Sequence, residues 1–447
     1  MGQRARIVTE ILGFDGCKVV EVFFESSSGR RVEPIGGFAV LRETRLVLVV
    51  VRRWLPRCSH CGAACRRIHE RLGGRRWADL PWAGHPVEIE YAPCRVKCRA
   101  CGGHPVEMVA WADPYQRQSR RLQHHLAVEA ASMPVMHVAA LHGLSWLTVR
   151  RAEERAIERW EATRPAVPLR HVGVDEKWLG RRHHLDHKFV TIVSNLETGE
   201  PLWIGEGRAE TTLRSWLDNL SAEQKATITL FAMDLHRAFW NAVKSTAGLE
   251  HAVIVHDAFH LMKLAGAALD ELRRDIFFRA GPELRAIGKG TRWLLLRAWE
   301  RTSESDRVRL REVLGHNRTL ARAYQIKEEL RDTLAAPNRQ AMALGLRRVL
   351  FRTAQYEPRA LRRLHETLKA HREEILALAE HRPATGRIEA LNNNWETLVR
   401  RARGYRDHRY LLRKLRFMVA NPIRTNDGIK RFIALGLTPP MPRHQAA

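Results

Sequence analysis

The 447-residue chain contains no apolar run that approaches the roughly 18 residues needed to span a bilayer. Its N-terminal residues, MGQRARIVTE, do not lead into the apolar core of a signal peptide. These two absences argue against a membrane-spanning protein and against a secreted one. We therefore predict a soluble, cytoplasmic protein with no membrane partner.

Acidic residues are few relative to basic ones. The chain has 49 Asp and Glu against 75 Lys and Arg, which gives a formal net charge of +26 spread along the sequence. Such an excess indicates a polyanionic partner, and nucleic acid is the first choice. The alternative is a proteome that uses Arg freely, since Arg far outnumbers Lys.

Cysteine is scarce outside one short segment that carries two CxxC pairs. Six of the seven Cys residues fall between positions 58 and 101, which favours a metal module over a secreted disulfide framework. Cys58 and Cys61 form one pair, Cys98 and Cys101 the other, and a strand-like HPVEIEYAP separates them. This pattern is typical of a zinc ribbon, in which four thiolates surround one structural Zn²⁺ and leave no position open for chemistry.

The length suggests two to four domains. We assign residues 1–50 to a small β-rich segment and residues 51–112 to the zinc ribbon. Within these segments Cys65 and Cys94 could replace a zinc ligand or lie as buried thiols, and Cys17 stands alone.

Residues 113–162 have the pattern of a helix-turn-helix. In HVAALHGLSWLTVRRAEERAIERW a first helix breaks at Gly143, and a second begins at Ser145, a suitable N-cap. Any helical hairpin can show this pattern, but the neighbouring zinc module favours DNA binding. The second helix carries the candidate DNA-binding residues Thr148, Arg150, Arg151 and Arg155.

After residue 163 the pattern changes to alternating strands and helices. The strand HVGVDE reaches Asp175, two further strands and a helix follow, ATITLFAMD ends on Asp234, and HAVIVHDAFH contains Asp257. This order is that of a ribonuclease-H-like α/β fold over residues 170–264 and 381–425. In that fold the first and fourth strands are neighbours, so Asp175 and Asp234 should lie within a few ångströms.

Two uncompensated carboxylates at neighbouring strand ends invite a divalent cation, and carboxylate oxygens suit Mg²⁺ or Mn²⁺. A third carboxylate should come from a later helix. The segment HRPATGRIEALNNNWETLVRRARGY supplies Glu389, with Asn392 and Asn393 one turn further on as supporting polar residues. Each carboxylate alone would pass for a solvated or ion-paired surface residue, but their joint placement favours a metal site.

Residues 265–380 have a helical pattern with many Arg residues on the polar faces, so we predict an all-α insertion domain. This domain either serves only as a packed helical bundle or also contacts DNA. Beyond the Glu389 helix a basic stripe continues, and it places positive charge where phosphate should lie. Its candidate DNA-binding residues are Arg400, Arg401 and Arg403.

These motifs together resemble the bacterial insertion-sequence transposases of the ISL-three family. The similarity covers nearly the whole chain through CSHCG, CRVKCRACG, VGVDE, FAMDLHRAFW, VHDAFHLMK and GRIEALNNNWETLVRRARGYRD. It implies a DDE triad of Asp175, Asp234 and Glu389 holding two Mg²⁺ ions. Asp257 and His260 match a (C/D)xxH element of supporting residues, and Asp257 is the alternative second carboxylate.

The resemblance also implies double-stranded DNA partners, namely the element's terminal inverted repeats and the target, and a homo-oligomer on DNA. Other functional classes stay open. One is a catalytically decayed transposase acting as a zinc-dependent DNA-binding regulator, although all three acidic positions are filled. A hydrolytic nuclease of the same fold would cut DNA without joining strands. A zinc scaffold that only binds would not need carboxylates at strand ends.

Overall fold

The computed structural model describes residues 3–14, 16–32, 44–165, 167–179, 188–279, 281–402 and 405–438. The chain forms two compact units, one of residues 1–166 with 397–447 and the other of residues 167–396. Within the described ranges, no helix combines the length and the apolar character that crossing a membrane would require.

The first described elements of the first unit are α1 (Gln3–Leu12), β1 (Cys17–Ser26), β2 (Arg31–Val32), β3 (Thr44–Arg52), β4 (Ile68–Arg71), β5 (Arg75–Trp82), β6 (His85–Tyr91) and β7 (Cys94–Val96). Five strands form a sheet of order β2-β1-β3-β6-β5, and β4 and β7 form a separate two-stranded sheet. β3 pairs antiparallel with β1 and parallel with β6. β3 continues past residue 50, the predicted boundary between the β-rich segment and the zinc ribbon, so strands on both sides of that boundary belong to one sheet. Its core includes Leu48, Ile89 and Trp111.

Three helices follow: α2 (Arg120–Ser132), α3 (Val135–His142) and α4 (Trp146–Ala162). Gly143 ends α3 with φ of 61°, a left-handed conformation that glycine adopts without strain. The Ser145 hydroxyl accepts a hydrogen bond from the Thr148 N–H at 3.1 Å and so caps α4. Both predicted signals of the helix-turn-helix are therefore confirmed.

The second unit begins with β8 (His171–Trp178), β9 (Phe189–Asn195), β10 (Pro201–Glu206), α5 (Glu210–Asp218), α6 (Ala222–Thr227), β11 (Leu230–Met233), α7 (Arg237–Lys244) and β12 (Val253–His256). Its strands form a mixed sheet of order β10-β9-β8-β11-β12. β8, β9 and β10 are antiparallel neighbours, whereas β11 runs parallel to both β8 and β12. β11 is buried along its whole length, as a central parallel strand requires.

From residue 258 to residue 381 every described regular element is helical. One core of Leu, Ile, Val and Ala side chains joins these helices to the apolar residues Leu230 and Val255 of the sheet. The helices are α8 (Ala258–Phe278), α9 (Pro282–Gly288), α10 (Arg292–Leu296), α11 (Glu304–Gly315), α12 (Arg318–Leu334), α13 (Arg339–Ala354), α14 (Arg359–Ala370) and α15 (Arg372–His381), with a 3₁₀ turn at Trp299–Arg301.

The last described helices are α16 (Gly386–Ala402), α17 (His408–Ala420) and α18 (Asn426–Ala434). In the first unit a buried ion pair joins α17 to α4, since Lys414 Nζ lies 2.6 Å from Glu153 Oε1. Lys414 also donates to the Ala130 carbonyl at 3.2 Å. These partners satisfy a charge that would otherwise be costly to bury.

Candidate active site and zinc centre

The two CxxC turns bring four sulfur atoms together. Ligand atoms of Cys58, Cys61, Cys98 and Cys101 all lie within 4.8 Å of one another. The Sγ–Sγ distances are 3.7 Å for Cys58 and Cys101 and 3.5 Å for Cys61 and Cys98. Four thiolates bound tetrahedrally to zinc would be about 3.8 Å apart. The spacing therefore fits the predicted structural Zn²⁺.

Each CxxC pair is followed by a glycine in the left-handed region. Gly62 has φ of 77° and Gly102 has φ of 70°, which lets the chain turn back sharply after each second cysteine. The backbone N–H of Cys101 lowers the pKa of the Cys98 thiol to about 6, whereas burial raises the pKa of Cys58 to about 12. Backbone donors thus favour the thiolate of Cys98, the form that binds metal.

The other buried thiols make different contacts. Cys65 Sγ donates to the Ala63 carbonyl at 3.4 Å. Cys94 Sγ accepts from Arg52 at 3.4 Å, within a network in which Arg52 also pairs with Glu107 at 2.5 Å. Burial and the neighbouring Cys98 raise the pKa of the Cys65 thiol to about 11. Among the residues that the structure describes, neither Cys65 nor Cys94 belongs to a group whose ligand atoms all lie within 4.8 Å of one another.

On α4 the candidate DNA-binding residues differ in exposure. Arg151 is exposed, and Thr148 and Arg155 are half-buried. Arg150 pairs with Asp407 on the approach to α17, and its guanidinium lies 4.6 Å from the centre of the Tyr410 ring. Binding of DNA through Arg150 would require it to leave these partners.

The basic residues after Glu389 also differ. Arg400 is exposed, while Arg401 donates to the Ala131 carbonyl at 2.6 Å within the first unit. Arg403 lies outside the described residues.

The first strand of the second unit places Asp175 in a buried position. Asp175 is only 8% exposed. One oxygen accepts from the Glu176 N–H at 2.8 Å, and the other accepts from the Asn392 amide of α16 at 2.5 Å. The neighbouring Glu176 instead pairs with Arg208 at 3.1 Å, because successive side chains of a strand point to opposite faces. Only one of the two adjacent carboxylates therefore faces α16.

Asp234 follows β11 directly and lies beside Asp175 in register. The paired residues Val174 and Met233 immediately precede the two carboxylates on parallel strands. The negative charge of Asp234 contributes to raising the pKa of the Asp175 carboxyl. The two carboxylates thus follow neighbouring positions of adjacent parallel strands.

His260, in the first turn of α8, joins two carboxylates. Its Nδ1 lies 2.7 Å from Asp234 Oδ1 and 3.7 Å from Asp257 Oδ2. Asp257 caps α8 through the Phe259 N–H at 3.0 Å and accepts from the Thr385 hydroxyl at 3.2 Å. The DAFH segment thus connects the ends of β11 and β12 to the residues that precede α16.

The negative charge of this region is partly compensated by neighbouring side chains. Burial raises the pKa of Asp175, and the Asn392 hydrogen bond opposes that effect. Burial lowers the pKa of His260, but Asp234 and Asp257 outweigh it and raise the value to about 9. His260 is therefore a cation at neutral pH and partly compensates the acidic cluster.

Glu389 is an exposed residue of the first turn of α16, three positions before Asn392. Residues at this spacing share one helix face, so Glu389 projects from the face that contacts Asp175 through Asn392. In the described part of the chain, Asp175, Asp234 and Glu389 do not form a group whose ligand oxygens all lie within 4.8 Å. Asn393 is exposed on the same helix.

Gly173, which is not among the predicted site residues, allows α16 to approach β8. A Cβ at this position would lie 2.7 Å from Ser194 Oγ, 2.8 Å from Leu196 Cδ2 and 3.1 Å from Ile388 Cδ1 of α16. An interior strand glycine often marks such a close approach, so HVGVDE carried a usable signal.

Comparison with known proteins gives three family matches. A family model described as "Transposase" matches residues 172–415. "Helix-turn-helix domain of transposase family ISL3" matches residues 107–157, and "zinc-finger of transposase IS204/IS1001/IS1096/IS1165" matches residues 43–101.

Two relatives extend the similarity over nearly the full length. The transposase for insertion sequence element IS1001 of Bordetella parapertussis is 29% identical over 415 residues, which cover 92% of this chain and 97% of the relative. The transposase for insertion sequence element IS1557 of Mycobacterium tuberculosis is 27% identical over 443 residues, with coverage of 92% and 94%.

A zinc finger, a helix-turn-helix and a transposase region in one chain define an insertion-sequence transposase. The chain belongs to the ISL3 family, the ISL-three family of the sequence analysis.

Proposed function

We propose that this transposase is a DDE-type polynucleotidyl transferase, which cuts DNA at the ends of its insertion sequence and joins them to a target. The proposal rests on the contact of three elements, β8, β11 and α16, around Asp175. Asp175 and Asp234 follow paired residues of the parallel strands β8 and β11, and Asn392 of α16 donates to Asp175 at 2.5 Å.

The strand order supports a ribonuclease-H-like catalytic fold. Three antiparallel strands are followed by two parallel ones, and the first strand lies at the centre beside the fourth. The helices between residues 265 and 380 would then be an insertion before the last catalytic helix.

The donor chemistry of the site fits Mg²⁺ or Mn²⁺. Asp175, Asp234 and Glu389 offer hard carboxylate oxygens, and the burial of Asp175 makes an uncompensated charge there costly. Bound Mg²⁺ would activate a water or 3′-hydroxyl and stabilise the displaced 3′-oxygen.

The protein residues have separate tasks in this proposal. Asp175, Asp234 and Glu389 hold the metal. The Asn392 amide fixes the orientation of Asp175 and favours its ionised form. His260 holds Asp234 through the 2.7 Å contact. Asp257 acts as support, since its Oδ1 already receives the Phe259 N–H and the Thr385 hydroxyl.

DNA recognition would fall to the zinc finger and the helix-turn-helix, which would bind the terminal inverted repeats. On α4 the exposed Arg151 and the half-buried Thr148 and Arg155 are the available candidates. After cleavage the same site would join the 3′-hydroxyl to target DNA within a homo-oligomer.

The test measures binding and chemistry separately on DNA that carries the element's own ends. Asp175→Asn, Asp234→Asn and Glu389→Gln should retain the gel shift and lose Mg²⁺-dependent cleavage and strand transfer, because removal of a metal ligand raises the barrier without touching the DNA-binding residues. Glu176→Gln is the matched control, since Glu176 pairs with Arg208.

Each of the other outcomes would indicate a different activity or a different site assignment. A wild-type chain that cuts but never joins strands would be a hydrolytic nuclease. One that binds ends without cutting would be a decayed transposase acting as a regulator. A fully active Asp234→Asn variant beside an inactive Asp257→Asn variant would move the second metal ligand to Asp257.

A further inference from the structure

A second cluster of metal-binding side chains lies in the second unit, away from the cysteines. Ligand atoms of His256, His371 and Glu374 all lie within 4.8 Å of one another. His256 is the last residue of β12 and is fully buried. His371 immediately precedes α15, and Glu374 is in its first turn. The proposed DNA chemistry uses none of the three.

Two members of the cluster are oriented by neighbours that leave a ligand atom available. His256 Nδ1 lies 3.2 Å from the Met233 carbonyl, which can only accept, so Nδ1 carries the proton and Nε2 keeps its lone pair. Glu374 Oε1 accepts from the Trp240 indole N–H at 2.7 Å. Histidine and carboxylate ligands of metals usually have outer partners of this kind.

The two imidazoles meet at an angle that suits a shared metal. His256 Nε2 lies 3.0 Å from His371 Nδ1, a distance at which an Nδ1–H of His371 can donate to Nε2, and the ring centroids are 4.6 Å apart. Two rings that both point at a zinc ion at 2.0–2.1 Å, with this nitrogen separation, would have centroids about 4.7 Å apart. A straight N–H···N hydrogen bond would separate the centroids by roughly 5.3 Å.

We propose that His256 Nε2, His371 Nδ1 and Glu374 bind a second Zn²⁺, distinct from the ion of the cysteine cluster. Two imidazoles and a carboxylate are a ligand set that zinc accepts, with water in the fourth position. The ion joins β12 to the start of α15 and so fastens the last helix before α16 to the catalytic sheet. This site goes beyond the proposed DNA chemistry and does not depend on it.

A similar group on the first unit lacks these features and provides the control. In the cluster of His125, Glu129 and His142, both histidines contact the carboxylate, at 3.3 Å and 2.6 Å. The ring centroids are 6.0 Å apart. The contacts of both imidazoles with the Glu129 carboxylate account for this arrangement without a metal.

The experiment counts zinc in the full-length chain after equilibration with ZnCl₂ and removal of loosely bound ion. We expect two zinc ions per chain in the wild type and in His142→Ala, and one in His371→Ala and Glu374→Gln. Circular dichroism establishes that each variant is folded. Glu374→Gln keeps an oxygen that can accept from Trp240, so it changes the ligand charge with little change in packing.

A measurement on the wild type alone covers the case in which the variants do not fold. Reconstituted with CoCl₂, the chain should bind a second equivalent of Co²⁺ that adds no thiolate charge-transfer absorption in the near ultraviolet. One zinc ion per wild-type chain, two in a folded His371→Ala variant, loss of one in His142→Ala, or thiolate character in both cobalt sites would each overturn the proposal.

Discussion

Among single residues, Asn392 has the most direct influence on the acidic site. Burial raises the pKa of Asp175, the Asn392 hydrogen bond lowers it, and the charge of Asp234 raises it again. The ionised form of Asp175 therefore depends on a neutral amide supplied by α16. Three consecutive Asn residues are unfavourable for helix propensity. For one of them, Asn392, the hydrogen bond to Asp175 gives a specific reason.

We predict that Asn392→Ala shifts the acidic limb of the pH profile of Mg²⁺-dependent cleavage to higher pH. Loss of the donor raises the pKa of Asp175 further, so the carboxylate stays protonated over a wider acidic range and metal binding is lost there. Activity should recover at alkaline pH. The measurement is the cleavage rate from about pH 5.5 to 8.5. Asn394→Ala is the control, and an equal loss at every pH would count against this role.

His124 is a second residue whose protonation matters, in the helices of the first unit. It is fully buried, and its Nε2 accepts from Arg159 at 3.1 Å. Burial, together with the charges of Arg159 and Arg120, lowers its pKa to about 3. The neutral ring is thus the form that the fold accommodates.

We predict that acid destabilises the first unit through His124. The pKa of His124 is about 3 in the folded protein and near 6.5 in the unfolded chain. The contribution of His124 to stability is therefore complete above pH 6.5 and decreases as the pH falls from 6.5 towards 3. The slope should approach about 1.4 kcal/mol per pH unit. Urea unfolding near pH 7 and pH 5 should show this loss for the wild type and for the exposed control His137→Gln, but a smaller one for His124→Gln. Equal losses in all three proteins would exclude His124 as the cause.

At the scale of elements, the approach of α16 to β8 depends on an absent side chain. The nearest atoms to a Cβ at Gly173 belong to β9, to Leu196 and to α16, at 2.7 to 3.1 Å. The helix that carries Glu389 and Asn392 is thereby held against the strand that carries Asp175.

We predict that Gly173→Ala destabilises the second unit by about 1–3 kcal/mol, the usual cost of overpacking. The cleavage rate should fall by more than the loss of folded protein accounts for, because the added methyl group moves α16 away from Asp175. Thermal unfolding and the cleavage rate are measured together. Gly74→Ala, where no atom lies within 4 Å of the added Cβ, should be nearly neutral. An active, fully stable Gly173→Ala protein would show that the contact can relax.

Local patterns in the sequence predicted many of these elements. The apolar run that stops at Asp234 predicted the end of β11, whereas β8 continues past Asp175 to Trp178, so the predicted strand end at Asp175 is wrong. Gly143 and Ser145 predicted the helix-turn-helix boundary. Contacts between distant segments left no such pattern. The parallel pairing of β3 with β6 and the pairing of Arg150 with a residue 257 positions away are set by tertiary packing, which periodicity does not report.

For the whole molecule, the count of 75 Lys and Arg residues overstates the number of cationic side chains that can contact DNA. Many Arg side chains are paired within the fold: Arg76 contacts Glu25, Glu88 and Glu90. Arg150 likewise pairs with Asp407. The number of phosphate contacts is therefore smaller than composition suggests, and it is a measurable quantity.

We predict that affinity for end DNA falls with salt at a log–log slope of about −0.9 for each phosphate contacted. Arg151→Ala should make this slope shallower by about 0.9, because the exposed side chain lies on the second helix of the helix-turn-helix. Arg6→Ala removes the same charge from an exposed residue of α1 that pairs with Glu10 at 3.5 Å, and it should leave the slope unchanged. Fluorescence anisotropy over a salt series measures all three proteins. An unchanged slope for Arg151→Ala would place the DNA contact elsewhere, and a slope near zero for the wild type would remove phosphate contacts as the source of affinity.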